Sequence, residues 1–303
     1  MVRKILAIGG ATIEIYGFCQ QMVHDGENRG RVVIRQGGSA RNIAENLARF
    51  GADVALLSVL GNDPLTQMLK KTLDELGVDT QKCLPFRGVG SAAALSLIAP
   101  DGTRHLTVSD PRALEQITPE YIFSCTDYIR QFDVIVPDAN LPAGTLAYLC
   151  KSFCEKSMVF DPVSTAKAEK TRGLLGKFDI LKMNALEARH LSGIQNPERA
   201  AREFVRRGAQ KVYITLGERG ALCADAQGEN LRTQALPITA INATGAGDAF
   251  TACVALGECY GWDIERCLNF ATVCASMTIH SENAVLPELT YDLVEQKMAQ
   301  HWR

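Results

Sequence analysis

Short apolar runs alternate with amphipathic stretches along most of the chain. Ile5–Ile8, Val54–Val59, Asp133–Val136, Met158–Phe160, Asp179–Leu181 and Val212–Leu216 are of strand length and rich in valine, isoleucine and leucine. The segments between them carry helix signals with visible ends. Asp63 is placed to cap, Pro64 suits a first helical turn, and Leu65, Leu69, Leu73 and Leu76 share one face before Gly77 stops the pattern. Ser39 likewise precedes Ile43, Leu47 and Phe50, with Gly51 as terminator. Near-continuous apolar strands separated by amphipathic helices predict a mostly parallel sheet covered on both faces. Ligands of such folds bind beyond the carboxyl ends of the strands.

Two stretches break the rhythm. Residues Ile13–Ile34 and Ser91–Val108 alternate like strands, with turn signals at Asp25-Gly26 and Asp101-Gly102 and no helix between. They predict a small, mostly antiparallel sheet, a flap placed to exclude water from an active site.

Composition narrows the partners. Lys and Arg total 32 against 34 Asp and Glu in 303 residues, so no global field favours nucleic acid or an anionic membrane. No run of about 18 apolar residues occurs, which excludes a spanning helix. The ten cysteines contain no CxxC pair and the five histidines are scattered, so they read as reduced thiols of a cytoplasmic protein, not as a zinc site. A small-molecule ligand is the expectation that survives.

The strongest chemical segment is Asn242-Ala243-Thr244-Gly245-Ala246-Gly247-Asp248, which leads into apolar helical sequence from Ala249 to Tyr260. Glycines at a helix start let backbone N–H groups approach a ligand closely, and the helix dipole favours negative charge there. Asp248 would face the same spot and could accept a proton from an attacking alcohol. A plain helix start with an acidic first turn explains the segment equally well. Other patterns mislead. Gly88 to Ala93 fits GxGxxA but runs into extended sequence, Gly173 to Lys177 lacks the spacing of a Walker A loop, and Asn242-Ala243-Thr244 is only formally a glycosylation sequon.

Six elements occur in one order: Gly37-Gly38 with Asn42, Gly61-Asn62-Asp63, Asp161-Pro162, Asn184-Ala185-Leu186-Glu187, Thr215-Leu216-Gly217 with Gly220, and Thr244 to Asp248. In that register the chain resembles the ribokinase-like (PfkB) carbohydrate and nucleoside kinases over nearly its whole length. The resemblance implies a three-layer α/β/α fold with a mostly parallel central sheet. It implies one kinase domain over 1–303, with lid segments at approximately 13–36 and 90–109. Gly245, Ala246 and Gly247 would form the anion hole and Asp248 would be the catalytic base. Asn184, Thr215, Gly217, Gly220 and Thr244 would bind ATP, and Glu187 would organise Mg²⁺ through water. On the acceptor side, Gly38 and Asn42 match the double-glycine element.

Departures from the family pattern matter. Thr12-Ile13-Glu14 replaces the usual Asn-x-Asp on the first lid strand, keeping a carboxylate with a longer reach. Asn242 stands where the family usually has Asp, which leaves a K⁺ requirement open. Gly37 to Leu47, Phe160 to Ser164 with Lys167 and Lys170, and Glu187 to Gly193 look like the corresponding segments of the family's pseudouridine kinases. The expected activity is transfer to the 5′-hydroxyl of pseudouridine, with Thr12, Glu14, Gly38, Ser39, Arg41, Asn42 and Lys167 orienting the nucleoside. Asp138 and Asn140 rank lower. Kinases of ribose, fructose or 2-keto-3-deoxygluconate are the alternative, and a nucleoside sensor without transfer is a third reading. The resemblance also implies a homodimer formed through the lid.

Overall fold

The structure is a computed structural model that describes residues 3–23, 25–85, 92–238 and 244–301. Its strands are β1 (Lys4–Ile8), β2 (Thr12–Cys19), β3 (Gly30–Gly37), β4 (Asp53–Leu57), β5 (Val59–Leu60), β6 (Leu84–Pro85) and β7 (Ala93–Ile98). They continue with β8 (Arg104–Asp110), β9 (Val134–Pro137), β10 (Ser157–Phe160), β11 (Ile180–Asn184), β12 (Lys211–Thr215), β13 (Ala221–Asp225) and β14 (Asn230–Thr233).

Eight of these form a central sheet in the order β14-β13-β12-β11-β10-β9-β1-β4. The strands from β4 to β12 in that order are parallel, and β13 and β14 turn back antiparallel at one edge. This edge pair is absent from the strands the apolar pattern predicts, although β13 itself carries the buried apolar run Ala221–Ala224. Alternate residues of β1 enter two separate cores. Ile5 and Ala7 pack with Ile43, Leu47, Leu69, Leu73 and Phe250 on one face. Leu6 and Ile8 pack with Ile122, Leu146, Leu149, Leu191 and Phe204 on the other. Burial on both faces is why these strands read as unbroken apolar runs. The result is the α/β/α sandwich that the resemblance implied.

Both predicted helix starts are present, with different caps. Asp63 accepts from the N–H groups of Leu65 and Thr66 at the head of helix Pro64–Glu75. Helix Ser39–Arg49 instead begins from Gly38, whose φ of 95° suits glycine, and its side-chain cap is missing. A Cβ on Gly38 would lie 2.4 Å from the Gly10 carbonyl oxygen, so the double-glycine turn presses against the end of β1.

The second sheet runs β3-β2-β7-β8, with β2 and β7 parallel and the two outer pairings antiparallel. Gly102, with φ 83°, turns β7 into β8. Of the GxGxxA pattern, Ala92 and Ala93 lead into β7; residues 88–91 lie outside the described residues.

The chain passes from β1 outward to β4 and later returns to β9 on the other side of β1, which opens a crevice between β1 and β9. Asp138, fully buried, closes β9 at that point. Its carboxylate accepts from the N–H groups of Gly10 (2.9 Å), Ala40 (3.0 Å) and Asn140 (2.7 Å). One side chain therefore fastens the ends of β1 and β9 to the start of helix Ser39–Arg49. Burial pushes this carboxyl up, and the hydrogen bonds oppose the push. Asp138→Ala would orphan all three donors and is expected to cost about 3 kcal/mol, measurable by urea denaturation; a cost below about 1 kcal/mol would show that other groups hold the crevice.

Candidate active site

Helix Ala246–Tyr260 starts from Gly245, which has a left-handed φ of 86° and lies so close to Ala284 that a Cβ would meet its carbonyl oxygen at 1.9 Å. The first-turn N–H groups of a helix have no intrahelical acceptor, so this start offers donors and positive dipole to an anion. Asp248 follows in the same turn. Its carboxylate accepts from Asn42 Nδ2 at 2.7 Å, a contact between residues 206 positions apart, and the Ser39 hydroxyl is close enough to act on it. Burial pushes this carboxyl up to about 7, with Asp161 adding to the push while Asn42, Lys182 and Ser39 oppose it.

Below Gly247 lies a residue that the sequence reading missed. Lys182 enters on β11 with its side chain only 5% exposed, and a Cβ on Gly247 would sit 2.8 Å from its Nζ. The ammonium is 3.2 Å from Asp161 Oδ2, which also accepts from the Thr251 hydroxyl at 2.5 Å. Burial alone would lower the Lys182 pKa, but Asp161, Glu187 and Asp248 outweigh it and hold the group protonated. Asp161 closes β10 ahead of a strained turn: Val163, a β-branched residue, has φ 63° and donates its N–H to Asp161 Oδ1 at 2.8 Å. Such a conformation costs roughly 1–2 kcal/mol and persists where its surroundings impose it. A lysine inside an otherwise apolar strand was the signal available for Lys182.

Of the residues expected to bind the acceptor, Thr12 pairs with Gly37, and Glu14 lies over it; a Cβ on Gly37 would be 2.5 Å from Glu14 Oε1. The Glu14 carboxylate accepts from the Tyr16 hydroxyl. Lys167 is exposed and donates to Asn140 Oδ1, two residues beyond Asp138. Arg41 differs from the others. It is 4% exposed, and its guanidinium is directed at Gln36, Asn42 and Glu45.

A model of the pfkB family of carbohydrate kinases matches residues 2–290. The chain belongs to the PfkB family. Pseudouridine kinase of Escherichia coli (strain K12) is 32% identical over 294 residues, spanning 94% of this chain and 93% of its own. Ribokinase of Bacillus subtilis (strain 168) is 28% identical over 249 residues, 82% of each. A carbohydrate kinase from Agrobacterium tumefaciens superposes with a TM-score of 0.85 at 27% identity, covering 98% of this chain and 97% of its own. The Arabidopsis thaliana ribokinase solved with ribose and ATP shares the fold at a TM-score of 0.85 and 20% identity, over 98% and 99% of the two chains.

Asn184, Glu187, Thr215, Gly217 and Gly220 of this PfkB chain lie at or just beyond the carboxyl ends of β11 and β12. Asn184 and Thr215 are register partners there. The i, i+3 spacing of Asn184 and Glu187 does something other than present two side chains from one helical face. Asn184 is the N-cap, its side chain accepting from Leu186 and Glu187 N–H, and Glu187 reaches back to the Asn184 N–H at 2.8 Å. Gly217 (φ 64°) and Gly220 (φ 83°) bracket a tight turn, and a Cβ on Gly220 would meet Thr233 O at 2.0 Å. Thr244 lies just ahead of the helix start, while Asn242 and Ala243 are outside the described residues.

Asp248 titrates above its ordinary value of 3.8, so the native state holds a proton that the unfolded chain has already released between that value and about 7. This contribution to stability is full below the unfolded pKa and is lost as pH rises through the folded one. Asp248→Asn is therefore expected to raise Tm at pH 8 and to leave it unchanged at pH 3.5, by thermal denaturation at both. A destabilised variant at pH 8 would contradict the burial argument.

Proposed function

We propose that the protein transfers a phosphoryl group from ATP to the 5′-hydroxyl of pseudouridine, with Mg²⁺. The observation that carries the transfer chemistry is the Asp248 carboxylate, held by Asn42 at the start of a helix whose glycines expose N–H donors. The choice of acceptor rests on the 32% identity to a pseudouridine kinase across 94% of the chain. PfkB kinases are phosphotransferases that act on alcohols and use ATP with Mg²⁺.

In this reading Asp248 accepts the proton of the 5′-hydroxyl as its oxygen bonds to the γ-phosphorus and the bond to the ADP leaving group breaks. A positioned carboxylate supplies roughly 10²–10⁴ in rate. Charge accumulating on the transferring oxygens meets the N–H groups of Ala246, Gly247 and Asp248, with the Lys182 ammonium behind Gly247. Gly38, Ser39, Asn42, Glu14, Thr12 and Lys167 orient the nucleoside, the small sheet serving as the lid. Thr215, Gly217, Gly220 and Thr244 bind the nucleotide. The residues fit a divalent cation by charge: the buried cluster sets three carboxylates, Asp161, Glu187 and Asp248, against one ammonium. Glu187 and Asn184 would hold Mg²⁺ through water, since the capping box already occupies part of both side chains. Bound there, it neutralises phosphate charge.

Ribokinase activity is the second reading, favoured by the 28% identity to ribokinase of Bacillus subtilis. ADP release from purified protein across pseudouridine, uridine, ribose, fructose and 2-keto-3-deoxygluconate separates the two. Pseudouridine is expected to give the highest kcat/KM; a free sugar far ahead of it would refute the acceptor and leave the kinase reading standing. Asp248→Asn is expected to lose about 10²-fold or more in kcat, and near-normal turnover would refute the base.

We also infer a homodimer through the small sheet. Ile34, Ile15, Leu95 and Val108 form one cross-strand row, and Val32, Gly17, Leu97 and Leu106 form the next on the same face. Val32 is 72% and Val108 61% exposed, an apolar surface that invites a second copy. Sedimentation is expected to show a dimer that Val108→Asp converts to monomer; a monomeric parent protein would end this inference.

A further inference from the structure

The best-defended residue near the base touches neither reacting group. Arg41 carries a permanent charge at a position 4% exposed, and its Nε has no partner among the described residues. An apolar side chain would fill that space at lower desolvation cost, so packing alone does not account for an arginine there. The contacts of its two terminal nitrogens define what it does. NH1 donates to Asn42 Oδ1 at 2.9 Å, and NH2 donates to Gln36 Oε1 at 2.9 Å and to Glu45. Glu45 is held in turn by Arg49, through Nε at 3.0 Å and NH2 at 2.7 Å. Arg41, Glu45 and Arg49 thus stand one helical turn apart on Ser39–Arg49, as a row of alternating charge with Asn42 beside it.

A guanidinium has donors and no acceptor. The Asn42 atom facing it must therefore be the amide oxygen, which turns the amide NH₂ toward Asp248 Oδ2 at 2.7 Å. A rotated amide would set its oxygen against the carboxylate and remove the one amide donor that aims it. We propose that Arg41 is a positioning residue for phosphoryl transfer: it locks the amide of Asn42, and through it the carboxylate of Asp248, and binds no part of the acceptor. This assigns Arg41 away from the nucleoside-binding set expected from sequence. It rests on Asp248 being the base. The other groups facing Asp248 are Ser39 on the same helix, Asp161 after β10 and Lys182 on β11, and none of them contacts the Asn42 oxygen.

The test is a double-mutant cycle between Arg41→Met and Asn42→Ala, measured with ATP and the acceptor of the panel above that turns over fastest. Arg41→Met is expected to lower kcat about 10-fold with acceptor KM changed less than about 2-fold, because alignment and not binding is lost. In the Asn42→Ala background the same change is expected to cost less than about 2-fold further, since the amide it orients is gone. A raised KM with unchanged kcat would make Arg41 an acceptor ligand, and multiplying effects would make it an independent structural residue; either overturns the proposal. Should Arg41→Met fail to fold beside Glu45, Arg41→Met with Glu45→Met removes both charges of the pair and is read by the same criteria. Asp248→Asn run alongside separates the two claims. Its retained turnover would remove the base itself, whereas its inactivity together with a KM-only effect at Arg41 would remove the positioning role alone.

Discussion

Lys182 brings one positive charge into a sheet interior that already holds Asp161, with Glu187 and Asp248 close enough to act on it. Isolated charges do not survive burial; they are paired or they neutralise. A single ammonium against three carboxylates leaves the region short of positive charge. The carboxyls respond: burial raises both Glu187 and Asp248, and Lys182 opposes the rise in each. The start of helix Ala246–Tyr260 sits directly above this ammonium, at Gly247. The same unbalanced burial that makes this part of the sheet costly to fold holds the Asp248 carboxyl up at about 7.

Close backbone approaches set the shape around that charge. Gly38 presses on Gly10, Gly245 on Ala284, and Gly220 on Thr233, each with no room for a Cβ. The first joins β1 to the start of helix Ser39–Arg49, where Asp138 adds three hydrogen bonds. The second joins helix Ala246–Tyr260 to the segment leading into the last helix, Tyr291–His301. Asp248 and Asn42 come from these two regions, so the length of their hydrogen bond depends on both junctions.

Much of the architecture was legible because both faces of the central sheet are buried. Double burial leaves continuous apolar runs, and six such runs correspond to six parallel strands. Strand β14 escaped this reading because at the sheet edge it is only partly buried and its sequence, NLRT, is mostly polar; β13, ALCAD, is fully buried and was missed although its run is apolar. The helix start itself was legible too, as glycines and an acid in fixed order: Gly245 is the left-handed N-cap and Asp248 lies in the first turn. Lys182 was not, because periodicity treats a lysine amid apolar residues as an interruption. Arg41 was legible as a residue near the site but not in its role. Whether its guanidinium points at a ligand or at Asn42 is decided by Gln36 and Glu45.

By itself the sequence determined the alternation of strands and helices, the places where only glycine is tolerated, and the family, because each of these depends on residues near one another in the chain. Tertiary structure alone decided which charges share a site. Asn42 and Asp248 are 206 positions apart, and Lys182 meets Asp161 from a neighbouring strand. Hydrogen bonds act only at contact and Coulomb energy grows as distance and dielectric shrink, so the raised pKa of Asp248 follows from burial and distances that only the packed structure creates.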